Sequence, residues 1–316
     1  MTVLLALALT LAAAPAAAHH GPATYASIDV AWTYDPKVVV PLYLSALLYL
    51  VGTLRLWRRA GMGRGVRYGQ AAAFWAGWTF LALALVSPLH WLGEHLFTAH
   101  MIEHEILMVV AAPLIVAARP GWVMLWALPA PWRGPVGGIG RVPAVATAWR
   151  CLTDPLVATL LHGIALWAWH MPVLYNLVLA DGLAHWLQHL SFLVTALLFW
   201  WSLLWGRARA RGYGAAVFYL FATALHTGLL GVLLTVSKAP WYPAQGVFAP
   251  SFGLTPLEDQ QVAGLVMWVP AGVAYTVAAL WLAALWIGRS APRLAPGSVA
   301  PGGIAPGGIA PGGAHA

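Results

Sequence analysis

The sequence predicts an all-α integral membrane protein, a bundle of seven transmembrane helices with the mature N-terminus outside and the C-terminus in the cytoplasm. Three observations carry that reading. The 316 residues are 61% hydrophobic and only 8% charged, where a soluble domain carries about 25% charged residues. Seven stretches are long and apolar enough to span, near 38–57, 70–91, 97–118, 156–178, 185–206, 214–236 and 262–288, each approaching the roughly 20 residues that hydrocarbon requires. The basic residues fall in every second connection between spans, and so on one side of the membrane, as the positive-inside rule demands.

Residues 1–18 form a short apolar run ending in small residues. Such a run reads as a cleavable signal peptide, and cleavage after Ala18 makes His19 the new N-terminus, followed by His20. An exterior segment 19–37 then leads into the membrane domain, 38–288. Between spans one and two lie Arg55, Arg58, Arg59, Arg64 and Arg67; Arg119, Arg133, Arg141 and Arg150 lie between three and four. Arg207, Arg209 and Arg211 separate five from six, and Arg289 and Arg293 follow the last span. All these fall on one side, which is therefore cytoplasmic; only Lys37 and Lys238 fall opposite. This sorting accounts for the net charge of +7 without a nucleic-acid partner. The run Trp122–Ala130 is too short to span and reads as interfacial or re-entrant. From residue 289 a cytoplasmic Pro/Gly tail repeats Pro-Gly-Gly-Ile-Ala, a composition that cannot pack and reads as disordered.

With this topology most of the twelve histidines sort to the outer leaflet. His90 and His95 close span two, and His100 and His104 open span three within His100-Met101-Ile102-Glu103-His104-Glu105. His170 and Met171 follow in the outer half of span four, and His185 and His189 open span five. Histidines four apart share a helix face, and ionisable groups inside hydrocarbon are costly enough to mark a functional site. His162 lies elsewhere and reads as a hydrogen-bonding partner for a neighbouring helix. With a single cysteine, Cys151, no thiolate site can form within one chain. The candidate metal ligands are therefore His100, His104, Met101, His170, Met171, His185 and His189, with His19 and His20 as a second exterior site. Glu103 and Glu105 would orient imidazoles through their second nitrogen. Imidazole with thioether suits copper, particularly Cu(I); imidazole alone also suits zinc or haem iron. Asp259-Gln260 opens span seven, where Asp259 serves as a helix cap, as part of the site, or both. Trp241-Tyr242-Pro243 reads as an interfacial aromatic anchor.

Several of these pieces together resemble a known family. His100-Met101-x-x-His104 precedes Ala112-Pro113-Leu114; Trp167-x-Trp169-His170-x-Pro172-x-Leu174-Tyr175 and His185-x-x-x-His189 follow. Then come Phe199-Trp200-Trp201, Trp241-Tyr242-Pro243 and Asp259-Gln260-x-x-Ala263-Gly264-x-x-x-Trp268. Over residues 38–288 the pattern is similar to the multispan CtaG-type family of cytochrome c oxidase assembly factors. The resemblance implies a non-enzymatic role in maturing a haem–copper oxidase in the cytoplasmic (inner) membrane of a bacterium, with the site facing the periplasmic side. It implies copper delivery to an oxidase subunit, with the lipid bilayer as the other partner. His100, Met101, His104, His170, His185, His189 and Asp259 are the positions that match. Other readings stay open: a membrane b-type cytochrome or haem-handling protein, or a copper or proton transporter. The order His-x-x-Glu-His over His100–His104 also permits a zinc-bound water with Glu103 as base.

Overall fold

A computed structural model of the chain describes residues 31–206 and 213–290. Among these the structure is all-helical. Six helices are long and apolar enough to cross a membrane, and seven spans result if one bent pair is taken as a single crossing. The expected signal peptide, His19 and His20, and the tail beyond residue 290 lie outside the described residues.

Helix α1 (Pro36–Ala60) starts where the Asp35 carboxylate accepts the Lys37 N–H at 2.8 Å and Pro36 occupies the first turn, a favourable N-terminal arrangement. Arg58 and Arg59 occupy its last turn, where cations complement the helix dipole. Helix α2 (Tyr68–Val86) returns to the end where α1 began, and the Thr33 N–H donates to the Val86 carbonyl at 2.9 Å.

The expected span 70–91 is shorter than its hydropathy implies. Ser87 ends α2 and caps a separate short helix, α3 (Pro88–Gly93), accepting the Leu89 N–H at 3.2 Å. Pro88 explains the break, because it cannot donate back into α2 and disfavours helical backbone at the residue before it.

Helix α4 (Phe97–Ala118) is continuous but changes winding: residues Ile106–Ala111 form a π-helical turn. Pro113 lies just beyond that turn and has no N–H to offer the preceding carbonyls. Two tryptophans of α10 (Gly182–Leu204) and its C-cap anchor this half of α4. Trp200 Nε1–H donates to Met108 O and Trp205 Nε1–H to Val116 O, both at 2.9 Å. The short α5 (Pro120–Leu125) packs on α1 near Gly52, where a Cβ would meet the Val123 carbonyl. This agrees with a piece too short to span. Helix α6 (Ala130–Gly138) and helix α7 (Pro143–Leu152) then lead to α8 (Pro155–Trp169), which is bent by 66° from α7.

The expected span 156–178 is also broken. Helix α8 stops at Trp169, Met171 is extended (φ −67°, ψ 131°), and a separate α9 (Pro172–Ala180) begins. Pro172 again supplies the reason. Helices α11 (Tyr213–Val236) and α12 (Pro256–Ser290) form the tightest pair in the bundle. A Cβ on Gly231 would lie 2.7 Å from the Gly264 carbonyl, so glycine is required for this approach. Small residues at such crossings are how helices associate where lipid removes the hydrophobic drive. Long apolar side chains such as Phe218, Phe221 and Leu225 point outward and remain exposed, as expected of a lipid-facing surface.

Candidate metal centre

The breaks after α2 and α8 gather the histidines. Helix α3 turns His90 back over the start of α4, while α4 and α10 lie side by side and present their His-x-x-x-His faces to each other. His100 and His104 have ring centroids 4.2 Å apart, and His185 and His189 4.5 Å apart. Across the two helices His104 and His189 stand at 5.1 Å, and His100 and His185 at 5.4 Å. His90 stacks on His185 at 5.3 Å.

Two groups of three imidazoles result. His90, His185 and His189 form one; His100, His104 and His189 form the other. Within each group the potential ligand atoms all lie within 4.8 Å of one another. His189 belongs to both. The second group is buried throughout, whereas His185 is only partly covered, so the first lies nearer the surface.

Buried nitrogens need partners, and leaving one unmet costs on the order of 1–3 kcal/mol. Both ring nitrogens of His100 and of His104, and Nε2 of His170, His185 and His189, have no hydrogen-bond partner within the protein. Clustered unmet donors and acceptors of this kind fit a bound ion. Neutral imidazole is a ligand for copper, zinc or haem iron.

Glu103 is fully buried between the helices. Its Oε1 lies 2.7 Å from His90 Nδ1 and 3.6 Å from His189 Nε2. At 2.7 Å the Glu103 carboxylate orients the His90 ring through Nδ1 and leaves Nε2 as its potential ligand atom. Gly93 makes the arrangement possible, because a Cβ there would sit 2.9 Å from Glu103 Oε2 and 3.3 Å from the His100 Cα.

The start of α4 is held from a distance. Leu96 at its N-cap offers no side-chain acceptor. Asp259 of α12 supplies one instead, accepting the N–H of Phe97 at 2.8 Å and of Thr98 at 2.9 Å. Asp259 thus caps the helix that carries His100 and His104, while Thr255 and Glu258 cap its own. Phe192 forms the floor beneath His104 and His170, with ring centroids at 4.7 and 6.3 Å. His170 is buried at the end of α8, its Nδ1 2.7 Å from Leu166 O.

Other expected residues lie elsewhere. Met101 is buried in an apolar cluster with Phe97, Tyr175, Tyr242 and Met267. Met171 is 54% exposed at the head of α9. Glu105 Oε2 is buried without a hydrogen-bond partner, and Glu105 belongs to neither three-imidazole group. His162 pairs with Thr195 Oγ1 at 3.1 Å and stacks on Phe199, the expected structural role.

Three residues that shape the centre were not singled out from sequence. His90 was sorted to the correct end of its span, but its entry into the cluster depends on the turn at Ser87-Pro88. Tyr242, read as an interfacial anchor, is instead buried and donates its hydroxyl to the His170 carbonyl at 2.5 Å. Gln245 Nε2–H donates to the Gly93 carbonyl at 3.0 Å and so holds the turn beneath His90. Neither contact has a local signal, because each joins segments more than 70 residues apart.

Comparison with known proteins adds the family. Uncharacterized proteins of Mycobacterium bovis and Mycobacterium tuberculosis are each 25% identical to this chain over 264 residues. Those alignments cover 78% of this chain but 38% of the relatives' own length, so the chain spans well under half of each. No solved structure matches. The model of the cytochrome c oxidase caa3 assembly factor family matches residues 47–289, from within α1 to the end of α12 and including every described histidine of the cluster, and the chain belongs to that family.

Proposed function

We propose that this protein is a non-enzymatic copper-binding factor that aids metallation of a haem–copper oxidase. The observation that carries this reading is the pair of three-imidazole groups built around His189, in which both ring nitrogens of His100 and His104 and Nε2 of His185 and His189 lack hydrogen-bond partners. Copper is cargo here. The more exposed group, His90, His185 and His189, receives or releases the ion, and the buried group, His100, His104 and His189, retains it. Passage between them exchanges two ligands while His189 stays bound, so the ion is never freed into hydrocarbon. Glu103 supports the exchange by fixing the His90 ring through Nδ1. Asp259 acts as a positioning residue, since it sets the start of α4.

Several features favour an exterior site on the cytoplasmic membrane of a bacterium. The histidines gather where α1 begins and α2 ends, whereas Arg55, Arg58 and Arg59 lie at the far end of α1. The positive-inside rule then puts the cluster outside. The side-by-side packing of four imidazoles within 6 Å favours one small ion over a macrocycle held between axial ligands. His162 is already hydrogen-bonded and stacked, which disfavours a conducting path through the bundle.

The test is the copper, zinc and iron content of detergent-purified protein, wild type beside His100→Ala/His104→Ala, with a visible spectrum of each. Copper in the wild type, and its loss from the folded double variant, is the expected result. Zinc alone, or iron with a Soret band, would replace copper as the cargo. Absence of all three metals from the wild type after copper loading would reduce the role to a scaffold.

A further inference from the structure

At the end of the bundle opposite the histidines, an open cleft of about 290 Å³ is lined by Arg55, Arg58, Arg59, Arg133 and Trp126. These residues come from α1, α6 and the turn after α5, so tertiary folding assembles the cleft; no single charge run makes it. Three of the four guanidinium groups are held in place by the protein. Arg55 Nη1–H reaches the carbonyls of Trp126, Ala127 and Leu128, at 3.3, 2.6 and 3.0 Å. Arg133 donates to Leu128 O at 3.0 Å and Trp126 O at 3.3 Å. Arg59 and Arg133 both lie over the Trp126 ring, 5.6 and 4.7 Å from its centroid.

Among the described residues no carboxylate lies within ion-pair distance of any of these four arginines. Like charges brought together without a counter-charge repel one another, and the carbonyls carry only partial charge. The geometry points to a binding site for a phosphate group, whose oxygens match the planar fork of guanidinium. The source of that phosphate follows from position. The cleft sits at the last turns of a membrane-spanning helix, with Trp122 and Trp132 exposed beside it, the level at which tryptophans meet lipid headgroups. We infer that its ligand is the headgroup of an anionic phospholipid, seated on the cytoplasmic leaflet. This assignment is independent of copper.

The test uses the full chain in detergent, titrated with phosphatidylglycerol or phosphatidylcholine and read by native mass spectrometry as the lipid-bound fraction. The wild type is expected to bind phosphatidylglycerol in preference to phosphatidylcholine. Arg58→Gln/Arg59→Gln should weaken phosphatidylglycerol by roughly tenfold, equivalent to about 1.4 kcal/mol. Arg55 and Arg133 are left intact because their carbonyl contacts hold the turn after α5. Arg64→Gln/Arg150→Gln removes the same charge outside the cleft and should leave binding unchanged. Equal weakening in both double variants would mean diffuse surface charge and overturn the site. Millimolar inorganic phosphate that displaces the lipid completely would make a soluble phosphate the ligand and overturn the lipid assignment. No preference for phosphatidylglycerol in the wild type would overturn both.

Discussion

His189→Ala is expected to abolish copper binding more completely than any other single histidine substitution. The reason is its membership of both imidazole groups: its removal leaves His90 with His185, and His100 with His104, two pairs and no triad. Losing one supporting contact around a metal ligand already costs 10–100-fold in affinity, so loss of a ligand common to both groups should cost roughly a hundredfold or more. His90→Ala provides the contrast. It removes only the more exposed group and leaves His100, His104 and His189 in place, so the bound copper at saturation should match wild type while its release to a chelator slows. Both quantities can be read on the same samples, by metal analysis and by transfer to a chromogenic Cu(I) chelator. Equal copper loss in the two variants would show that His189 has no special place. Unchanged release in His90→Ala would remove the exchange path and leave a single static site.

The second large effect is expected far from the imidazoles in sequence. Asp259→Ala removes a fully buried carboxylate that accepts two backbone N–H groups at the start of α4. Hydrogen bonds to a charged group are worth about 1.5–3 kcal/mol each, and the abandoned amides stay buried, so a loss of about 3 kcal/mol is a conservative expectation. In a chain of 316 residues that corresponds to a fall in Tm of roughly 4–6 °C. Copper affinity should fall with it, because His100 lies three residues beyond Phe97 and depends on an ordered first turn. Asp259→Asn keeps one acceptor oxygen and should recover part of both losses. A wild-type Tm in Asp259→Ala would show that water satisfies these amides and would remove Asp259 from the positioning role.

These two residues also mark where the sequence was readable and where it was not. The pairs His100/His104 and His185/His189 could be read directly, since a spacing of four puts side chains on one helix face whatever the tertiary context. Their meeting across α4 and α10 was foreshadowed only by their common leaflet. His90 escaped because hydropathy ran straight through Ser87-Pro88, although the proline there signals a break; the same averaging joined α8 to α9 across Met171-Pro172. Asp259 was recognisable as a cap, but nothing local shows that the capped helix begins 162 residues earlier. Tyr242 reads as an interfacial anchor because Trp and Tyr concentrate at membrane–water interfaces. Its burial against His170 follows from the packing of the segment after α11, which leaves no periodic trace.

The π-helical turn in α4 has a consequence for how this chain tolerates change in length. The turn holds one residue more than regular winding would, between the histidines above it and the Val116 carbonyl that Trp205 binds below, while Trp200 binds the Met108 carbonyl within the turn itself. Each residue of an α-helix advances the direction of its side chains by about 100°. Deleting one residue within Ile106–Ala111 would relax the turn to ordinary winding, which absorbs the loss and keeps His100 and His104 facing α10. The same deletion in the regular helix between His104 and Ile106, or just beyond Ala112, has no wide turn to absorb it and would swing both histidines by about 100°. The segment is thus a register buffer: a single-codon loss within it would spare the centre, while one beside it would disable the centre and leave every histidine in the chain.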